Sequence, residues 1–507
     1  MVRRVPNPFR LLILWIGFAL ARAGLIERER ARRTTDLAWP RIVTGIARMS
    51  KSAVDVAMVG IAIGSSAIAG VGFAGPFWGL AFSVGGGVAG GTIALVSQRY
   101  GAEAYDQLGQ AVRSSVFLVV VVSLPITATF WLSAESFIGL ITDNPDAIRY
   151  GSDYLQVVAL GIPFAGLNLI GSRVFVGMDD AWTPMVVRAG GAVANIGINA
   201  VLIFGLDLGV VGAALGTVLS NVAVTAVFAV GLTAGRLPGA REFPVHVDPV
   251  GSYVDAPTLR DLVTIGLPVF GTNLVWTLAE FPMLAIVDVF GEDTVAAYVI
   301  ARRIWGVMNT PGWGFGLASS SLVGQVLGTG DEGTAEQYGR EIIRFAVAVY
   351  AVSAFLVFVF AEQITLLFSN DPTDPAIPIA VSLVHAACVA VVLRGVSGGA
   401  SGPLNASGDT RWPFYSQFLG MFGFAIPLAY LGANGLDLPP LEAAVPLVDA
   451  TVAVPGVSIP AIGLMGLYLA FVAETAVPAA VNYYRFSTGK WKQISRSYRP
   501  ETPTADD

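Results

Sequence analysis

The sequence predicts an all-α polytopic membrane protein: twelve transmembrane helices in two six-helix repeats, related by a pseudo-two-fold axis along the membrane normal. Three observations carry this prediction. Of 507 residues, 54% are apolar and only 13% charged, where a soluble domain carries about 25% charged residues. Apolar segments long enough to span a bilayer follow one another along most of the chain. The two halves are also copies. Residues 66–101 lie on 293–328 without a gap at an offset of 227 (293 minus 66), pairing Trp78, Gly85, Gly87, Gln98 and Gly101 with Trp305, Gly312, Gly314, Gln325 and Gly328. Asp180 and Pro184 pair with Asp409 and Pro413 at an offset of 229 (409 minus 180). Each copy holds an even number of spans, so both run in the same sense.

In chain order, residues 1–36 read as a cytoplasmic segment with one interfacial helix. Its apolar centre, LLILWIGFALA within Phe9–Ile26, is flanked by Arg10 and Arg22 and followed by the charged run Glu27–Arg33. That pattern fits a helix lying on the membrane better than a cleavable leader, with a thirteenth span as the alternative. The amino-terminal lobe covers 37–234, with spans centred near about residues 52, 82, 122, 162, 194 and 220. A polar cytoplasmic linker follows at 235–257. The carboxy-terminal lobe covers 258–485, with spans near about residues 276, 308, 352, 390, 420 and 471, and 486–507 is a cytoplasmic tail. Asn434–Ser458, rich in proline and alanine, is expected to be a long irregular external loop.

Basic residues set the orientation. Arg28, Arg30, Arg32 and Arg33 precede the first span, Arg236, Arg241 and Arg260 sit at the linker, and Lys490, Lys492, Arg496 and Arg499 follow the last span. The turns around Gly64 and Asp207 have none, so both termini are expected in the cytoplasm of a multi-pass plasma-membrane protein. One cysteine, Cys388, excludes a disulfide framework, and two histidines leave little for a metal centre.

The most anomalous segment is Leu37–Gly64, LAWPRIVTGIARMSKSAVDVAMVGIAIG, an apolar span that carries Arg41, Arg48, Lys51 and Asp55. An aspartate near the bilayer centre costs roughly 2.5–3.5 kcal/mol on insertion scales, so it is normally paired or functional. Pro40 removes a backbone donor and crowds the preceding turn. Such a helix reads as a moving part. Lys51, one turn before Asp55, is either a local ion pair that eases insertion or a competitor for a coupling cation. Glu280 and Arg394 are expected to pair structurally, with His385 a packing residue and Glu474 open to either role. Asn168 either lines a cavity or bonds a neighbouring helix. The run GGGVAGG (85–91) lacks the Lys–Ser/Thr ending of a phosphate loop and is read as close helix packing. Asp179, Asp180 and Asp409 are read as helix caps.

The motifs VDVAMVG (54–60), GTIALVSQRYGA (91–102), NIGINAVLIFG (195–205), GVVGAALGT (209–217) and SGDTRWPF (407–414) stand in this order along the duplicated chain. Through them the chain, from about Leu37 to Arg485, resembles the multidrug and toxic compound extrusion (MATE) transporters. It is most similar to the archaeal members of the DNA-damage-inducible-protein-F (DinF-like) branch. The resemblance implies two six-helix bundles facing a central cavity, and export of organic compounds in exchange for protons or sodium. That branch's pattern falls on Pro40 and Asp55, on Asn195 and Asn199, and on Ala213 and Thr217. Position 199 holds an amide where the branch has an acid, leaving Asp55 the single titratable member. A carboxylate, two amides, a backbone carbonyl and a hydroxyl suit sodium, and Asp55 alone suits a proton. The acids of the family's sodium-coupled branch fall on Trp276 and Arg394, so that mechanism does not transfer.

The expected protein is therefore a cation-coupled antiporter of small organic compounds, not an enzyme. It is expected to work as a monomer in the lipid bilayer, with no cofactor beyond the coupling proton or sodium and no nucleic acid. Asp55, Asn195, Asn199, Ala213 and Thr217 form the ion or proton site, with sodium, if bound, at Asp55, Asn195, Asn199 and Thr217. Pro40 permits a bend, and Arg48, Lys51, Asn168, Glu280 and Arg394 are cavity candidates. The cations at 48 and 51 count against cationic substrates. A lipid-linked oligosaccharide or precursor flippase of the same superfamily is the alternative.

Overall fold

Long apolar runs punctuated by glycine, proline and short charged turns give helices joined by tight connections. The computed structural model describes residues 7–236, 246–368, 373, 375–438, 441–445, 450–454 and 457–499. Helix α1 (Pro8–Arg22) is followed by α2 (Arg28–Ala62), α3 (Ser65–Gly101), α4 (Tyr105–Gly139), α5 (Pro145–Ala159), α6 (Ile162–Gly177), α7 (Trp182–Ala200) and α8 (Gly209–Ala234). The second half contains α9 (Ala256–Asp288), α10 (Glu292–Met308), α11 (Thr310–Gly328), α12 (Glu332–Val359), the short α13 (Ala361–Thr365) and α14 (Ala376–Ala406). It ends with α15 (Arg411–Phe418), α16 (Ile426–Asn434), α17 (Met465–Ser487) and α18 (Lys490–Arg496). Among the described residues nine helical stretches are long and apolar enough to cross a membrane, and α5–α6, bent by 50°, makes a tenth. Helix α2, with its internal charges, and the pair α10–α11 complete the twelve spans.

The duplication is visible in the element ends. The offset of 227 carries α3 onto α10–α11 at both limits (292 minus 65, 328 minus 101). It also carries a kink. Ser133 leaves helical geometry in α4 (φ −122°, ψ 20°), and Phe360, which separates α12 from α13, has nearly the same backbone (φ −102°, ψ 19°). The copies differ where helices break: α5–α6 is bent but its counterpart α14 is continuous, whereas α3 is continuous and its counterpart is interrupted at Asn309.

Small residues let the lobes approach closely, as expected for 85–91. A Cβ on Gly87 would stand 2.9 Å from the Gly266 carbonyl oxygen, and one on the repeat-related Gly314 would stand 2.5 Å from that of Ala38. Nearer the ends of α3 and α11 the backbones touch. A Cβ on Gly101 would come within 1.9 Å of the Gln325 carbonyl oxygen, and one on Gly328 within 1.9 Å of that of Gln98.

One sequence expectation needs correction, and two are extended. The helix that carries the first span begins at Arg28, ahead of the apolar stretch that starts at Leu37, because 28–36 is rich in helix formers and Ala31, Thr34 and Thr35 are buried. The described residues of 434–458 are not irregular. Strands β1 (Leu436–Leu438) and β4 (Val457–Ile459) pair antiparallel, as do β2 (Leu441–Val445) and β3 (Ala450–Val454), with Leu441 opposite Val454. Its residues 439–440, 446–449 and 455–456 lie outside the described residues, as do 237–245 of the linker and 500–507 of the tail. Within the tail, α18 packs back with Trp491 fully buried and stacked on Phe486 at 5.6 Å. Helix α1, at 15 residues, rises about 22 Å, too short for a core of about 30 Å. It buries Ile13 and Ile16 and leaves Leu11, Leu12 and Trp15 exposed.

Candidate functional site

Helix α2 carries Arg41, Thr44, Arg48, Lys51 and Asp55 at alternating steps of three and four, which sets them in one stripe along a helical face. Pro40 lies inside the helix, which runs across it without a break. The lower part of the stripe meets α7 and α8. Lys51 Nζ stands 3.2 Å from Asp55 Oδ2 and donates to Thr217 Oγ1 at 3.3 Å. Asn199 Nδ2 donates to Asp55 Oδ1 at 2.8 Å and to Asn195 Oδ1 at 3.4 Å. Asn195 Nδ2 in turn donates to Ser220 Oγ at 3.3 Å. Asn195 and Asn199 are fully buried, and Thr217 nearly so.

Four of the five predicted members therefore meet at one point, with Lys51 added. Ala213 is adjacent, in an apolar cluster with Val59, Ala67, Ile203 and Val210. The convergence depends on Gly216. A Cβ there would come within 1.8 Å of Asn199 Oδ1, so only glycine admits the amide. That oxygen is buried without a hydrogen-bond partner. The oxygens of Asp55 and Thr217 that would surround a metal ion already face the Lys51 ammonium. Among the described residues no group of three or more His, Cys, Asp or Glu is arranged to hold a metal.

This cluster opens into a cavity of about 510 Å³ inside the amino-terminal lobe, lined by α2, α3, α5, α6, α7 and α8 together with Arg303 of α10. Trp78, Phe82 and Tyr154 supply aromatic surface, and the Arg48 guanidinium lies 4.3 Å from the Phe82 ring centre. Asn168 lines the cavity and also bonds a neighbouring helix, donating to Asn221 Oδ1 at 2.8 Å. Arg48, Lys51, Arg188 and Arg303 line it against the single acid Asp55, a net charge of +3 (four cations minus one anion).

In the carboxy-terminal lobe the expected Glu280–Arg394 pair does not form. Arg394 Nε instead donates to Asn309 Oδ1 at 3.3 Å, and its guanidinium stacks 5.4 Å from the Trp276 ring. The buried acid is Glu474, held by Arg302 Nη1 at 2.8 and 3.1 Å, with Tyr298, Trp305 and Phe471 around the guanidinium. Glu280 is exposed and within electrostatic reach of Arg302. Helical periodicity does not reveal which of two intramembrane acids turns inward. His385 stacks on Phe358 at 4.2 Å. The turn acids divide. Asp180 caps α7, accepting from Thr183 N at 3.0 Å, while Asp179 pairs with Arg33 and Asp409 with Arg485. Sequence reasoning missed Tyr154, Arg173, Arg188, Arg302 and Arg303. An arginine inside an apolar span was the available signal for the last four.

The MatE family model matches residues 40–201 and 268–431, one segment in each lobe and well over half of the chain. The chain is 26% identical over 469 residues to the "probable multidrug resistance protein YoeA" of Bacillus subtilis, covering 90% of this chain and 94% of that one. A solved structure of the outward-facing conformation of a multidrug resistance MATE family transporter superposes with a TM-score of 0.78 at 21% identity, covering 90% of this chain and 96% of the other. A transporter from Pyrococcus furiosus, described as having a binding pocket of reverse polarity, superposes with a TM-score of 0.78 at 21% identity over 92% of this chain and 97% of its own. With a family match in both lobes and a twelve-span fold shared with solved members, the chain belongs to the MATE family, a family of membrane transporters and not of enzymes.

Proposed function

We propose that the protein is a proton-coupled antiporter that exports small organic compounds by alternating access, with Asp55 as the coupling carboxylate. The observation that carries this reading is the contact set of Asp55. It is held by Lys51 from its own helix and by Asn199 from α7, with Thr217 and Tyr154 beside it, and it opens on the cavity. Protonating Asp55 would remove the charge that holds Lys51 and let α2 repack, with Pro40 as the point of bending. A proton suits the site better than sodium because the Lys51 ammonium already takes the cation's place between Asp55 and Thr217. The multidrug-resistance name of the curated relative favours export of organic compounds over lipid-linked sugar flipping. The spacing of Pro40 and Asp55 supports placement near the archaeal branch, although that relative is bacterial. The distribution of basic residues supports both termini in the cytoplasm.

The test is gradient-driven movement of organic dyes of positive, neutral and negative charge in proteoliposomes. Asp55→Asn should abolish movement of every dye that the wild type transports while leaving insertion and thermal stability intact. Undiminished transport by the folded variant would remove Asp55 from the mechanism.

A further inference from the structure

Arg48 and Arg188 line the cavity, and Arg41 and Arg173 lie behind it within electrostatic reach of the first two, Arg41 with its guanidinium 5.7 Å from the Trp313 ring of α11. Among the described residues no acid stands within ion-pair distance of any of the four. The one acid of the cavity, Asp55, is taken by Lys51. Arg41 Nε, Arg173 Nη1 and Arg188 Nη1 are buried and donate to nothing. A guanidinium is always protonated and carries five donors in a rigid fork. Four such groups without a counter-charge are mutually repulsive, and they carry unpaired donors that only an acceptor can satisfy.

Intramembrane arginines usually pair with an acid or extend to the membrane surface. Neither explanation covers these. They have no acid, and Arg41, Arg173 and Arg188 are part-buried, each with one guanidinium nitrogen sealed from solvent. The stacking of Arg48 on Phe82 orients its guanidinium but adds no negative charge. The wall beside the arginines is apolar, with Trp78, Phe82 and Val56. A planar cationic fork beside an aromatic wall matches a ligand with an anionic head and an apolar body.

We infer that the amino-lobe cavity is a binding site for amphiphilic organic anions bearing a phosphate or sulfonate group, held by Arg48 and Arg188 with Arg41 and Arg173 behind them. This rests on the antiporter reading and gives it a substrate class.

The experiment uses the full chain purified in uncharged detergent, with a matched series of one aromatic ring: 1-naphthyl phosphate, 1-naphthol and 1-naphthylmethylammonium. The phosphate should bind at least tenfold more tightly than the naphthol, and the ammonium should not displace it. Arg48→Gln with Arg188→Gln should weaken phosphate binding at least tenfold. Because neutralising like charges removes repulsion, Arg188→Gln alone should raise the ligand-free melting temperature and shrink the stabilisation that the phosphate confers. Equal or tighter binding of the ammonium, or unchanged phosphate affinity in the double variant, overturns the assignment.

Displacement by dispersed phosphatidic acid would identify a lipid source for the anion. Displacement by glycerol phosphate would identify a soluble one, and displacement by neither overturns the site. If the phosphate fails to bind a protein that still moves cationic dyes under a proton gradient, the substrate class falls and the antiport reading stands. If the phosphate binds but no gradient drives movement of any dye, the site stands and the antiport reading falls.

Discussion

Gln98 and Gln325 occupy equivalent places in the two repeats and reach across the lobe boundary in opposite directions. Gln98 Nε2 donates to the Ala406 carbonyl at 2.6 Å, and Gln325 Nε2 to the Gly177 carbonyl at 3.2 Å. The two acceptors are themselves related by the offset of 229 (406 minus 177). Arg33 reinforces this latch, donating to Gln325 Oε1 and Asp179 Oδ2, each at 3.1 Å, and to the Tyr338 hydroxyl at 3.3 Å. The lobes are thus joined at the end where α3 and α11 cross, and the alternating access proposed above requires this contact to open.

Gln98→Ala with Gln325→Ala should favour the unlocked state. Each substitution leaves a buried carbonyl without its donor, at a cost of about 1–3 kcal/mol to the closed arrangement. Spin labels at Glu103 and Thr329, read by pulsed dipolar spectroscopy, should show a larger population at long distance. An unchanged distance distribution would mean the glutamines do not hold the lobes.

Lys51→Met should move the pH midpoint of transport upward. Lys51 lies 3.2 Å from Asp55 and favours its charged form, so without it the carboxyl holds its proton to higher pH. A pH series of proteoliposome transport in both proteins measures the shift. A midpoint that stays or falls contradicts a role for this pair in coupling.

The Arg302–Glu474 pair is buried, with the carboxylate side chain only 3% exposed. Glu474→Ala should destabilise the carboxy-terminal lobe by about 3–5 kcal/mol, because it strands an arginine among aromatic rings. Glu474→Leu with Arg302→Met should recover most of that loss. Thermal unfolding in detergent tests both, and a double variant no better than the single would place the stability elsewhere.

Docking of α18 should depend on pH. Hydrogen bonds from Arg496 to Glu332 and from Lys492 to Glu336 hold both carboxyls below their ordinary range. A depressed carboxylate contributes stability that is fully present above its unfolded value, about 4.3, and lost as pH falls through the folded one. Hydrogen exchange over residues 490–496, corrected for intrinsic rate, should show protection at neutral pH that disappears in acid. Protection unaffected by pH would assign docking to Trp491 packing alone.

The sequence by itself determined the twelve-span duplicated fold, its offset of 227 and the anomaly of α2, because apolar length, proline and charge are properties of a segment and not of its neighbours. Helical spacing also put Asn195 and Asn199 on one face, and Ala213 and Thr217 on another. The tertiary structure decided which faces meet. It brought Lys51 between Asp55 and Thr217, admitted the Asn199 amide through the space at Gly216, and turned Glu474 instead of Glu280 toward an arginine. It also gathered Arg41, Arg48, Arg173 and Arg188, which are scattered over three helices, around one cavity. Each of these depends on the rotation of one helix against another. Packing at close-approach residues fixes that rotation, and periodicity along a single helix carries no information about it.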